Sequence, residues 1–218
     1  MDNLSSSEKV EIAELIQNQE KQFVRKLSAN RNKIFAINTI RQLHEQVDVL
    51  TEKIKKKPGV HFDCKAGCSY CCSLRVAATP PEVFLIARHI KQLSLVAQAE
   101  LLERLKIHAE AAHGVSTEDY FFPCTLLADG KCTIYSIRPV MCRKYLSLDV
   151  EECKKPDACA PEDHEMAMKS SALIYGTSQA YSRVKLSNQI HELGQALFVA
   201  LTDPTTEDRW YRGEQVFV

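Results

Sequence analysis

Nine cysteines, all confined to the middle of a 218-residue chain, constrain this sequence more than any other feature. Cys64, Cys68, Cys71 and Cys72 fall within nine residues, and Cys124, Cys132, Cys142, Cys153 and Cys159 occupy a second stretch of 36. The 63 residues before and the 59 after contain none. Cysteines serving as small buried hydrophobes would be scattered over helices. These sit among Gly, Pro, Asp and Ser, in what reads as loop and turn. A disulfide framework is the poorer account, because nine is odd and a chain of this length can build an apolar core without staples. Metal binding is the better one.

The compartment agrees. The chain begins Met1-Asp2-Asn3-Leu4-Ser5 and soon carries Glu8 and Glu11, so it lacks the basic segment and apolar stretch of a secretory signal, and a cytoplasmic location is expected. The longest apolar run, Ala196 to Leu201, has six residues against the roughly 20 that cross a bilayer, so no membrane span is expected. Lys plus Arg and Asp plus Glu are both 28, which leaves no net field to hold a polyanion, and nucleic acid is not an expected partner. Lys53, Lys55, Lys56 and Lys57 read as a solvated helix end favoured by the macrodipole. With 45% apolar and 26% charged residues, the chain has the composition of a globular domain, and one core is expected over 1–218.

Around the cysteines the periodicity is helical. Ser5 and Glu8 have capping-box form ahead of a helix from Lys9 to about Leu27, with Val10, Ile12, Ile16, Phe23, Val24 and Leu27 at helical spacings. A second helix over 32–57 carries Ile40, Leu43, Val47, Leu50 and Ile54 at alternating spacings of three and four. This is a narrow seam that pairs with another helix of the same domain or with a protein partner. Thr79-Pro80-Pro81-Glu82 starts a helix to about Leu93, with Thr79 as cap and a proline at the first position. A further helix runs from about Leu95 to His113, burying Leu95, Leu101, Leu102, Leu105 and Ile107 and leaving His108 and His113 at the boundary. Asp129-Gly130 between two β-prone runs predicts a hairpin with Cys124 and Cys132 on opposite arms. Arg138-Pro139 opens a short turn presenting Cys142 and Arg143. Helix resumes after Asp163 and stops at Asp203-Pro204, leaving a surface tail anchored by Trp210. The expected fold is mainly α: N-terminal helices over 1–58, a metal-stapled cysteine region with two helices over 59–163, C-terminal helices and tail over 164–218, and one short β-hairpin.

A tetrahedral zinc site needs four soft ligands whose sulfurs stand roughly 3.8 Å apart. Cys64-Lys65-Ala66-Gly67-Cys68 and Cys68-Ser69-Tyr70-Cys71 each bend the chain around a metal, with Gly67 permitting the positive φ of a tight loop. Cys71 and Cys72 are adjacent, so their side chains diverge toward two metals, or one of them bridges. All nine cysteines are candidate ligands, enough for two four-thiolate sites with one left over or for one cluster plus structural cysteines. His61 and His164 flank the stretches as substitutes for a thiolate, although surface histidine is the commoner case. Arg138 and Arg143 are candidate donors to the thiolates or members of ordinary ion pairs. Since structural zinc contributes about 10–16 kcal/mol, metal removal is expected to unfold at least residues 60–163.

The pattern Cys64-x3-Cys68-x2-Cys71-Cys72, then Thr79-Pro80-Pro81-Glu82, Cys124, Asp129-Gly130-Lys131-Cys132-Thr133-Ile134-Tyr135, Arg138-Pro139, Cys142-Arg143 and a trailing Cys153 or Cys159, resembles the YkgJ-like family of zinc- or iron-chelating cysteine-cluster proteins over about residues 60–160. One residue more than the family's short form separates the first two cysteines. The resemblance implies metal binding, with zinc or iron open and no reaction assigned. Cys64-x3-Cys68-x2-Cys71 is also similar to the cluster motif of radical S-adenosylmethionine enzymes, and the cysteine pattern is similar to that of flagellin lysine N-methylases. Against the first enzymatic resemblance stand the missing βα units and the missing Gly-rich loop, and the missing loop counts against the second as well. Three functions therefore stand side by side: a metal-binding protein holding zinc or an iron-sulfur cluster, an iron-sulfur enzyme, and a metal-stapled adaptor that binds a partner through helix 32–57.

Overall fold

The structure, a computed structural model, describes residues 5–155 and 160–217; Cys159 lies outside the described residues. Helix α1 (Ser6–Ala29) starts at the expected capping box: Ser5 Oγ accepts the Glu8 N–H at 3.3 Å, and the Glu8 carboxylate accepts the Ser5 N–H at 2.9 Å. Phe23 and Leu27 are buried as expected, whereas Val10 is 58% exposed. Helix α2 (Lys33–Lys55) is capped by Asn32, whose side chain accepts the Phe35 N–H. Its seam faces inward: Ile40, Leu43, Val47 and Ile54 are buried and Leu50 half-buried, against α7 (His164–Arg183) and α3 (Pro80–Ile90). Of the two expected pairings of the seam, the one within the domain is the one seen, because the chain's own helices occupy that face.

Helices α1 and α7 pack lengthwise, and a glycine sets their separation. A Cβ at Gly176 would stand 2.6 Å from the Ile16 carbonyl oxygen and 2.8 Å from Gln19 Cβ, so only glycine fits this approach. Nearby, Gln19 Nε2 donates to Thr177 Oγ1 at 2.9 Å and to Gln46 at 2.7 Å, which satisfies the one buried amide of α1.

Helix α4 (Leu95–Ala111) packs on α8 (Leu193–Thr202) through Leu101, Leu105, His108 and Ala112. This face is rotated from the expected one, leaving Leu95 83% and Ile107 58% exposed. His108, expected at the boundary, is buried because Glu192 and Tyr120 partner its ring: Nε2 lies 3.3 Å from Glu192 Oε1 and 3.1 Å from the Tyr120 hydroxyl. Glu192 also caps α8, accepting the N–H groups of Gly194 and Gln195.

Two small antiparallel pairs complete the fold among the described residues. The expected hairpin joins β2 (Leu127–Ala128) and β3 (Lys131–Cys132) through Asp129 at φ 51° and Gly130 at φ 71°, the two positive values of a type I′ turn. Cys124 lies ahead of β2 rather than on it. The other pair, β1 (Ala77–Ala78) with β4 (His191–Glu192), was not anticipated; two-residue strands far apart in sequence leave no periodic trace. Short helices α5 (Val140–Lys144), α6 (Val150–Cys153) and α9 (Thr206–Tyr211) fill the remaining turns. The C-terminal tail is not a surface strap: Trp210 is fully buried, against Phe84 and Tyr181, and its Nε1 donates to the Ser187 carbonyl at 2.7 Å. The fold is thus mainly α, with the cysteine region running between α2 and α7. No helix of the described residues is long and apolar enough to cross a membrane.

Candidate metal centre

Each cysteine is delivered by a short, locally determined piece of chain. Gly67 at φ 91° closes the first loop, where the Cys68 N–H donates to the Lys65 carbonyl at 3.0 Å. A 3-10 turn, Tyr70–Ser73, carries Cys71 and Cys72. Cys132 sits on β3 one residue past the hairpin turn, and Cys142 in the middle of α5.

Main-chain hydrogen bonds sew the two stretches together. The Cys124 N–H donates to the Cys72 carbonyl at 2.8 Å, the Phe122 N–H to the Ser73 carbonyl at 3.2 Å, and the Asp63 N–H to the Ser147 carbonyl at 3.0 Å. The Ser147 N–H donates to Cys64 Sγ at 3.2 Å, an N–H to sulfur bond of the kind that steadies a thiolate. Cys64, Cys68, Cys71, Cys72, Cys124, Cys132 and Cys142 consequently line one cavity of about 480 Å³. Cys153 faces elsewhere: it lines an outer groove of about 560 Å³ together with Cys64, Cys68 and Cys71, so the first cysteine loop forms a partition between two chambers. None of the eight described cysteines is in a disulfide.

Among the described residues, no group of three or more Cys, His, Asp or Glu side chains is arranged to hold a metal ion. Burial pushes the thiols of Cys64, Cys132 and Cys142 above their ordinary range and Cys124 up to about 11; Cys71 is raised by its hydrogen bond to Cys72 and then by burial. Without metal these thiols carry their protons at neutral pH. The donor set itself suits zinc or iron, both of which thiolates bind well.

The charged neighbours divide in role. Arg143, 4% exposed, pairs with Asp48 and donates to the carbonyls of Ser136 and Arg138, so it braces the turn leading to α5. Arg138 lines the inner cavity, its guanidinium 3.8 Å from the Tyr135 ring centroid, and lies near enough to Cys71 and Cys132 to favour their thiolates. His61, 86% exposed at its side chain, and His164, 65% exposed, point away to Asp63 and Glu8. Sequence reasoning missed the Glu82 carboxylate, which appears there only as a helix cap. It is buried beneath the site, accepting hydrogen bonds from His44, Thr79 and Val140.

Residues 63–161 match the CxxCxxCC family model, described as "Putative zinc- or iron-chelating domain". No curated protein and no solved structure matches the chain. The matched residues 63–161 hold all nine cysteines, so the similarity to a zinc- or iron-chelating domain falls on the candidate site itself.

Proposed function

We propose that the protein binds zinc or iron through cysteine thiolates at a centre with more than one metal atom. The observation that carries this reading is the count of thiols around one cavity: seven cysteines from both stretches line it, and a single tetrahedral ion takes four. When bound, the metal supplies soft Lewis acidity or, as an iron-sulfur cluster, electron transfer. The chain's own part is to present the sulfurs, to yield their protons and to keep a positive guanidinium, Arg138, beside them. Cys72, Cys124, Cys132 and Cys142 serve the inner chamber; Cys64, Cys68 and Cys71 border both, and Cys153 faces the outer groove. Cys159 completes the candidate set on sequence grounds.

Elemental analysis of protein purified without air, read beside its absorption spectrum, tests this. Two or more zinc or iron atoms per chain are expected, with broad absorbance near ~400 nm if the metal is iron bound with sulfide. One atom per chain, or metal retained after all seven cavity cysteines are replaced, would refute it.

A further inference from the structure

We infer that Glu82 is a positioning residue for the metal centre, holding the helix that presents Cys142 in register with the first cysteine stretch. The inference rests on the reading of Cys142 as a ligand. Glu82 is 1% exposed, and four donors converge on its two oxygens. Oε2 accepts the Thr79 N–H at 2.9 Å and the Thr79 hydroxyl at 2.8 Å, which is all that a capping box asks of it. Oε1 does something else: it accepts the Val140 N–H at 2.7 Å and the ring N–H of His44 at 3.0 Å. A carboxylate oxygen only accepts, so His44 Nε2 carries the proton in that bond.

The partners explain the role. Val140 is the first residue of α5 and Cys142 the third. A helix of five residues does not hold itself, since nucleation costs more than so few hydrogen bonds return, and a carboxylate on its first N–H supplies the missing anchor. At the other end of the same carboxylate, Thr79 follows β1, the strand by which the first cysteine stretch leaves the site. One rigid, buried group therefore spans the exit of the first stretch, the start of α5 and, through His44, the inner face of α2. A capping glutamate alone would stay near the surface; burying its charge is unfavourable unless every lone pair is used, as here.

The test reads cobalt(II) affinity, by competition with a chelator, and thiolate-to-cobalt absorbance on the full chain, beside far-UV circular dichroism. Glu82→Gln keeps the size of the side chain but turns an amide N–H toward donors. Val140→Pro removes the N–H that Glu82 accepts and exchanges a buried valine for another apolar side chain; proline suits the first helical position, and Pro139 before it already has the extended ψ of 156° that this requires. Both variants should keep their helicity, bind cobalt about 10–100-fold more weakly and lose part of the thiolate absorbance. In a Cys142→Ser background, Glu82→Gln should add no further loss. Folded variants with wild-type affinity and spectrum overturn the inference. So does a Glu82→Gln effect that persists undiminished without Cys142, or the unfolding of both variants, which would mark Glu82 as a general clamp of the core. Should Glu82→Gln alone fail to fold, Val140→Pro decides. Cys142→Ser with wild-type cobalt binding refutes the ligand assignment instead.

Discussion

Replacing Cys132 by Ser removes a sulfur from the inner chamber with little damage to the fold. Cys132 is half-buried, and its strand is held by main-chain pairing to Leu127, which a serine preserves. The side chain lost is one of seven around the cavity. Structural zinc contributes about 10–16 kcal/mol over four ligands, so one thiolate accounts for roughly 2.5–4 kcal/mol, or about 60- to 700-fold in affinity. Cys153→Ser is the matched control, since Cys153 reaches only the outer groove. Zinc affinity measured against a chromophoric chelator should fall by that factor in Cys132→Ser, while Cys153→Ser leaves the inner centre as tight as in the wild type. Undiminished affinity in Cys132→Ser, combined with a loss in Cys153→Ser, would refute the division of thiols between the chambers.

Metal removal should loosen 59–76 and 121–155, whose own elements are a few residues long, as read by amide hydrogen exchange, while α1, α2, α3 and α7 keep their protection; global loss of helicity would show the core to depend on the metal. Glu192→Gln should weaken the fold by about 1–3 kcal/mol near neutral pH, and it should also flatten the acid limb of the stability curve. Burial opposes the ionisation of Glu192, yet His108 and the N–H groups of Gln195 and Gly194 outweigh it and hold the carboxyl below its usual range. Its contribution is therefore present above the unfolded value of about 4.3 and lost as pH falls through the lower folded one; parallel acid limbs in urea titrations of wild type and variant would contradict this. Leu43→Ala should cost about 2–5 kcal/mol with unchanged sedimentation, since the α2 seam is core; an unchanged melting temperature would place that residue outside it.

Local chemistry wrote much of this fold plainly into the sequence. The Ser5–Glu8 box, the Thr79-Pro80 start and the Asp129-Gly130 turn each depend on residues within a few positions, and each stands where its residues foretell. What stayed hidden depends on partners distant in the chain. His108 is buried because Tyr120 and Glu192 meet it, and no pattern along α4 announces them. Trp210 is interior because Phe84 and Tyr181 stand across from it. The candidate site divides in the same way. Cysteine spacing marks the thiols, but only the bonds from Cys124 to Cys72 and from Ser147 to Cys64 reveal that both batches meet, and only the folded chain sends Cys153 to a different chamber.

The first cysteine loop borders both chambers, since Cys64, Cys68 and Cys71 line the inner cavity and the outer groove alike. Reagents arriving from bulk touch Cys64, Cys68 and Cys71 from two directions, whereas Cys142 and Cys132 are approached from the inner side alone. The two chambers thus hold three sulfurs in common, and any reagent that fills the groove also reaches part of the thiol set that faces the cavity.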